Sequence, residues 1–329
     1  MSSIGAYLRN LPHAGIVLSL VSAALLGCRG DYHDCPAIPP ARRAALPRRL
    51  SETGLFVAKD KLAPDVRPYN PAFALWSDGA EKRRWIALPP GGVIDTRDMN
   101  EWIFPEGTRL WKEFRRDGVR VETRLLQKIG PREEDWAAVA YVWNAEDDDA
   151  EASWEGGTNV RGTPHDVPAG DQCFGCHGGR RSRVLGFSAV QLARTASDGT
   201  VDLPSLAREG RVSNPAPESL TIPGDTVERA ALGYLHANCS HCHNQARPEA
   251  DGPRCYDPDN GMDLRLLLGD LGSVASTAAF RTTVHLESRR DQMRKRMGSR
   301  EYDVQMPPLG TERVDAAGLA AVDAWLRRY

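Results

Sequence analysis

Two short stretches of the chain combine thiols and imidazoles at one fixed spacing: Cys173-Phe-Gly-Cys176-His177 and Cys239-Ser-His-Cys242-His243. Two thiols three residues apart reach the two vinyl groups of one porphyrin and form thioethers. The histidine that follows then lies under the iron as its proximal ligand. With 7 Cys and 8 His in 329 residues, random placement yields one such pentapeptide in roughly a few per thousand chains, and two far more rarely. The pattern therefore implies two covalently bound haem c groups. Cys173, Cys176, Cys239 and Cys242 would be the attachment points, and His177 and His243 the proximal ligands. Paired Cys-x-x-Cys units also build tetrahedral zinc sites. The immediate histidine in both, and the signs of export described below, weigh against zinc.

For the distal ligand of the second haem the residue of choice is Met306, in Met306-Pro307-Pro308-Leu309, with Met293 and Met297 as poorer substitutes inside a basic stretch. A thioether there would favour ferrous iron and raise the potential. The first haem is less legible, because no methionine occurs between His177 and Cys239. His165, His236 and Met262 are the candidates, and a five-coordinate iron is the remaining reading. His241, inside the second motif, is expected to face solvent.

The remaining cysteines are Cys28, Cys35 and Cys255. Arg9 precedes an apolar run from Ala14 to Leu26, the length of a signal-peptide core, which ends in Leu25-Leu26-Gly27-Cys28. That ending resembles a bacterial lipobox, in which Cys28 takes the lipid. The expectation is export, an outer-membrane lipid anchor on Cys28 and a periplasm-facing protein. In that oxidising compartment Cys35 and Cys255 become a candidate disulfide. A net charge of -2 offers no electrostatic reason for a nucleic-acid partner.

Elements must position these groups. After a signal peptide over 1–27 comes a Pro/Arg-rich linker over 28–49. A β-rich, sandwich-like domain is expected over 50–160, a first haem segment over 161–222, and a second, class I-like cytochrome c domain over 223–329. The expected fold is thus multidomain, a β-rich domain followed by α-helical cytochrome c-type haem domains. Alternation from Val119 to Ile129 predicts a strand, Thr108 to Arg115 its partner, and Asp117-Gly118 the turn between them. Trp136 to Trp143 reads as a central strand, and Lys82 to Leu88 as another. Helices are expected over Asp225–Asn238 and Asp315–Arg328. Seven of the eight tryptophans (Trp76, Trp85, Trp102, Trp111, Trp136, Trp143 and Trp154) fall in the β-rich segment. They read first as core and second as an aromatic platform for sugars. Asp147-Asp148-Asp149 reads as a solvated turn, with calcium binding as the alternative.

Several segments resemble an uncharacterised family of exported bacterial dihaem c-type cytochromes. They are Pro71-Ala72-Phe73-Ala74-Leu75-Trp76-Ser77-Asp78-Gly79-Ala80, Phe104-Pro105-Glu106-Gly107-Thr108, Leu110-Trp111-Lys112-Glu113-Phe114, His236 to His243, and Met306 to Gly310. The order of helix, motif, Met-Pro loop and closing helix around the second site resembles class I cytochrome c. The resemblance implies haem roles for Cys173, Cys176, His177, Cys239, Cys242, His243 and Met306. It also implies electron transfer with periplasmic redox partners. A dihaem peroxidase-like enzyme, with an open first haem, is the alternative. A carbohydrate-binding module with an appended cytochrome is another.

Overall fold

The computed structural model describes residues 30–32, 39–193, 196, 199–214, 220–248, 256–258 and 261–329. Cys28, Cys35 and Cys255, and with them the expected signal peptide, lipid anchor and disulfide, lie outside the described residues. Among the described residues ten strands occur in chain order: β1 (Gly30–Tyr32), β2 (Phe56–Ala58), β3 (Lys61–Leu62), β4 (Arg67–Pro68), β5 (Glu81–Ala87), β6 (Arg109–Arg116), β7 (Val119–Lys128), β8 (Trp136–Trp143), β9 (Ala150–Ser153) and β10 (Tyr256–Pro258). The helices are α1 (Pro40–Ala44), α2 (Cys173–His177), α3 (Ala189–Leu192), α4 (Leu203–Arg208), α5 (Thr226–Asn238), α6 (Glu287–Met297) and α7 (Ala316–Leu326).

A six-stranded antiparallel sheet, β4-β5-β6-β7-β8-β9 in spatial order, is the centre of the molecule. Each strand of this sheet pairs with its neighbour in sequence, through short turns from β6 to β9 and through longer connections before β5 and β6. Asp117 and Gly118 turn the chain between β6 and β7 with φ of 50° and 81°, the positive values that a tight hairpin turn needs. Strand β8 spans the residues its apolar character predicted and lies inside the sheet, between β7 and β9.

Strand side chains alternate between two faces, and both faces of this sheet are covered. On one face Trp85, Trp111, Leu125, Val139, Tyr141 and Trp143 pack with Leu46, Leu50 and Leu55 from the segment ahead of the sheet. On the other, Ile86, Leu110, Leu126 and Ala138 pack with Val184, Phe187, Ala189 and Leu192 from the segment after the first Cys-x-x-Cys-His motif. The sheet and that segment therefore share one core, across the boundary expected at 160/161. Five of the seven tryptophans in this region (Trp85, Trp102, Trp111, Trp136 and Trp143) are buried, so they are core residues and present no aromatic platform.

The expected α-helical cytochrome c-type haem domains are not what this chain forms. The architecture is dominated by β structure, and its longest helix, α5, has 13 residues. Among the described residues around the first motif the α-helices are α2, α3 and α4, of 5, 4 and 6 residues. Nor do two sheets face each other as a sandwich; the single large sheet is covered by irregular chain on both sides. The physical reason lies in Val184, Phe187, Ala189 and Leu192. Their apolar surface is buried against strands, and helices this short have no stability of their own. Helices α5 and α7 do pack together, with Gly318 so close under the Tyr234 ring that any Cβ there would collide with it. No helix among the described residues is long and apolar enough to cross a membrane.

Candidate functional site

The first motif forms one and a half turns of helix, because a short 3-10 turn over Gly170–Gln172 runs straight into α2. The chain then reverses at Arg183, which adopts a positive φ of 57° and turns its carbonyl back towards the helix. That carbonyl lies 2.6 Å from His177 Nδ1. A carbonyl can only accept, so Nδ1 carries the proton and the Nε2 lone pair is left for another partner. This is the tautomer that a metal-bound imidazole requires. Burial pushes the His177 pKa down to about 4, keeping the ring neutral.

Cys173, Cys176 and His177 are only half-buried by surface, yet protein surrounds them closely. Burial pushes the Cys173 thiol up to about 12 and raises Cys176 as well, so both are S–H groups. Neither is disulfide-bonded, nor are Cys239 and Cys242.

The second motif caps α5. Asp225 starts that helix by accepting hydrogen bonds from the Val227 and Glu228 amides. At its other end the His243 amide donates to the Cys239 carbonyl at 2.9 Å. Asn238 fixes this end by accepting from the Trp76 amide at 2.6 Å and donating to the Ala74 carbonyl at 3.3 Å. The same Phe73–Trp76 strap is held by Gln191 in α3, after the first motif, whose side chain accepts from the Phe73 amide at 2.9 Å. One strap therefore touches the segments carrying both motifs. Cys239 and Cys242 are pushed up to about 12 by burial, like Cys173.

The two motifs meet. Asn244 donates from Nδ2 to the carbonyls of Gly179 at 3.1 Å and Ser240 at 2.8 Å. A Cβ on Gly179 would lie 1.7 Å from the His241 carbonyl oxygen, so only glycine permits this approach. His241 is buried in the junction, against the expectation that it faces solvent. Burial, together with nearby His177 and His243, pushes its pKa down to about 3.

The other candidates are distributed as follows. The ring of His165 is buried, with Nε2 2.8 Å from Glu122 Oε1. His236 is buried, and its Nδ1 accepts the Leu266 amide at 3.1 Å, which leaves the proton on Nε2. Both imidazoles thus already spend a nitrogen inside the protein. Met262 is buried two residues before Leu264, whose amide donates to the His243 carbonyl at 2.9 Å, and so belongs to the second motif's surroundings. Met306 is half-buried in the turn between α6 and α7, its amide donating to the Arg296 carbonyl at 2.9 Å. Met293 and Met297 pack in the core that α5 and α7 share. The three aspartates from Asp147 to Asp149 diverge, Asp147 to Arg161, Asp148 to Asn144 and Asp149 to Ser51. Among the described residues, no group of three or more His, Cys, Asp or Glu side chains converges to hold a bare metal ion.

Haem c fits what is present at the first motif. A porphyrin supplies four of the iron ligands itself, so the protein need provide only two thiols and an imidazole with a free lone pair. Sequence reasoning missed a further feature of this motif's surroundings. The charges of Lys112 on β6 and Arg124 on β7 are felt at both Cys176 and His177. Alternating charges on a strand read as a solvated face. What could not be read was that this face is covered.

No protein-family model, characterised protein or solved structure matches the chain.

Proposed function

We propose that the chain carries two haem c groups and transfers electrons between them and redox partners in the bacterial cell envelope. Cys173 and Cys176 would hold one group with His177 on its iron. Cys239 and Cys242 would hold the other with His243, and Met306 is the candidate for its far side. The observation that supports this reading best is the junction of the two motifs through Gly179, His241 and Asn244. Two one-electron carriers are useful to each other only when close, and here the backbones that would anchor them touch.

When bound, each haem supplies a ferric/ferrous couple. The residues do the rest. Arg183 orients His177 through Nδ1 and keeps Nε2 available. Asn244 ties the motifs into one rigid unit, so that little reorganisation accompanies a change of charge. The shared core of Phe187, Ile86, Leu110 and Leu126, against which Cys173 and Phe174 pack, excludes water from one side of the first motif. The resemblance to exported dihaem cytochromes points the same way. So does the apolar Ala14–Leu26 run before Cys28, since c-type haem attachment goes with export and a lipid anchor at Cys28 would hold the protein at the membrane.

A peroxidase-like reading rests on one observation, the buried His165–Glu122 pair, an imidazole–carboxylate couple whose Glu122 charge is felt at Cys173. Cyanide binding to a high-spin haem would favour it over simple electron transfer. The primary test is a pyridine haemochrome assay on full-length protein produced with a haem-maturation system. Two haems per chain are expected, falling to one in the Cys173→Ala/Cys176→Ala variant. Fewer than two in the native protein overturns the proposal.

A further inference from the structure

Residues 71–80 join β4 to β5 without forming a helix or strand, yet their bonds lead away from the sheet. Ala72 and Phe73 are bonded to Gln191, and the Phe73 ring lies so close to Gly233 of α5 that a Cβ there would meet it at 2.0 Å. Lys82 Nζ holds the Leu75 carbonyl at 2.6 Å, and Asn238 holds the Trp76 amide. A turn follows, closed by the Ala80 amide donating to the Ser77 carbonyl at 2.9 Å. Within it Asp78 and Gly79 have φ of 51° and 81°. A positive φ is uncommon outside glycine and persists where the surroundings impose it. Here Arg116 of β6 imposes it, by donating to the Asp78 carbonyl.

The turn delivers the Asp78 carboxylate to the chain between α6 and α7. Its Oδ2 accepts from the Glu312 amide at 3.0 Å and its Oδ1 from the Arg313 amide at 2.9 Å. Two amides on one carboxylate make charge-assisted bonds, the stronger kind. Trp76 adds a third contact, from Nε1 to the Arg313 carbonyl at 3.4 Å. That carbonyl also closes the loop on itself. Arg300 donates to it from Nη2 at 2.7 Å and reaches the Met306 carbonyl from Nη1 at 3.5 Å. One guanidinium thus joins the residue proposed to bind iron to the residue that Asp78 holds. At the loop's other end the Met306 amide is tied to the Arg296 carbonyl. A ligand carried on a loop keeps its place only when groups outside the loop support it.

We propose that Asp78 is a positioning residue for the second haem: its two bonds to Glu312 and Arg313 hold the loop that keeps Met306 on that iron. The inference rests on the dihaem reading and on Met306 as the far ligand. It gives residues 71–80 a use beyond linking two strands. The strap that fixes Asn238, beside the attachment thiols, continues into the turn that fixes the ligand loop. One segment, anchored on the sheet through Lys82 and Arg116, therefore governs both.

The test uses full-length, haem-matured protein and reads the near-infrared sulfur-to-iron band of the ferric state. Met306→Ala assigns the band by abolishing it. In Asp78→Ala the band should weaken, and imidazole should displace the thioether at about tenfold lower concentration, the factor expected for losing charge-assisted bonds that solvent partly screens. Asp78→Asn, which retains one acceptor oxygen, should fall between Asp78→Ala and the native protein. Hydrogen exchange at the Glu312 and Arg313 amides should quicken in the same order. A bond that merely stabilises the loop would quicken exchange and leave the band and the imidazole titration native. That result in both Asp78 variants, with two haems attached, overturns this inference and leaves the dihaem reading standing. A band missing from the native protein, or surviving Met306→Ala, removes Met306 as ligand and the inference with it. A native protein without haem overturns the dihaem reading itself. If Asp78→Ala fails to accumulate, Asp78→Asn alone decides the matter by the same displacement or its absence.

Discussion

Replacing Gly179 by alanine perturbs one contact and little else. Gly179 does not have a positive φ, so alanine is conformationally acceptable there, and stiffening the unfolded chain would by itself stabilise by about 0.4–1 kcal/mol. The new methyl, however, would stand 1.7 Å from the His241 carbonyl oxygen, where ordinary contacts begin at 3.4 Å. Neither partner is a flexible side-chain end, so the two motif backbones must part. Overpacking of a filled site costs about 1–3 kcal/mol. Stretching the Asn244 bond to the Gly179 carbonyl, 3.1 Å and buried, adds about 1–3 kcal/mol where the polar groups lose their partner. The net cost is about 2–5 kcal/mol, which for a chain of this length corresponds to a drop in Tm of about 3–7 °C. Differential scanning calorimetry of Gly179→Ala against Gly269→Ala provides the assay. Gly269 has open space around its virtual Cβ and should melt with the native protein. If Gly179→Ala also melts with the native protein, the two motifs are not in contact and the reasoning built on their junction is refuted.

Trp111 is fully buried, and its indole donates to Thr53 Oγ1 at 3.0 Å. Trp111→Ala should cost about 3–5 kcal/mol in urea titration; a loss below 1 kcal/mol would mean that this face of the sheet is not a packed core. His236 is held neutral, its pKa pushed down to about 3, chiefly by burial. The unfolded chain protonates this histidine near pH 6.5, so between there and about 3 it binds more protons than the folded chain. Stability should therefore fall as pH falls through that window, and His236→Asn should show a shallower slope in melts from pH 6.5 to 4; equal slopes would show that His236 is not shielded. Strands β1 and β10 pair antiparallel, Tyr32 opposite Tyr256, next to Cys255 in sequence and three residues before Cys35. Cys255→Ser should consequently expose one additional thiol at Cys35 to maleimide under non-reducing, unfolding conditions; no gain would show that the two never paired.

The local signals in the sequence were strong where a pattern repeats within one element. Period-two alternation marked β7, unbroken apolar character marked β8, and Asp117-Gly118 marked the turn between β6 and β7. Aspartates at positions 225 and 315 marked helix starts, and both accept the expected capping bonds. The sequence misled where the outcome depended on what lies across from an element. Glu122 and Lys112 occupy the polar face of strands that look half-solvated, yet Glu122 is completely buried, because residues 173–192 fold over that face. Nothing in a strand's own composition announces a cover supplied from fifty residues away.

The same omission led to the expectation of separate helical haem domains. A Cys-x-x-Cys-His pentapeptide specifies its own turn and its own thiols. It does not specify the walls around them. At the first motif the surroundings come from the apolar core that Cys173 and Phe174 join and from Arg183 in a loop. Attachment chemistry needs only five consecutive residues, whereas a pocket needs an enclosed volume with matched charge. The motif's local chemistry and the fold that houses it are thus separable. Of the two, only the chemistry is written contiguously in the chain.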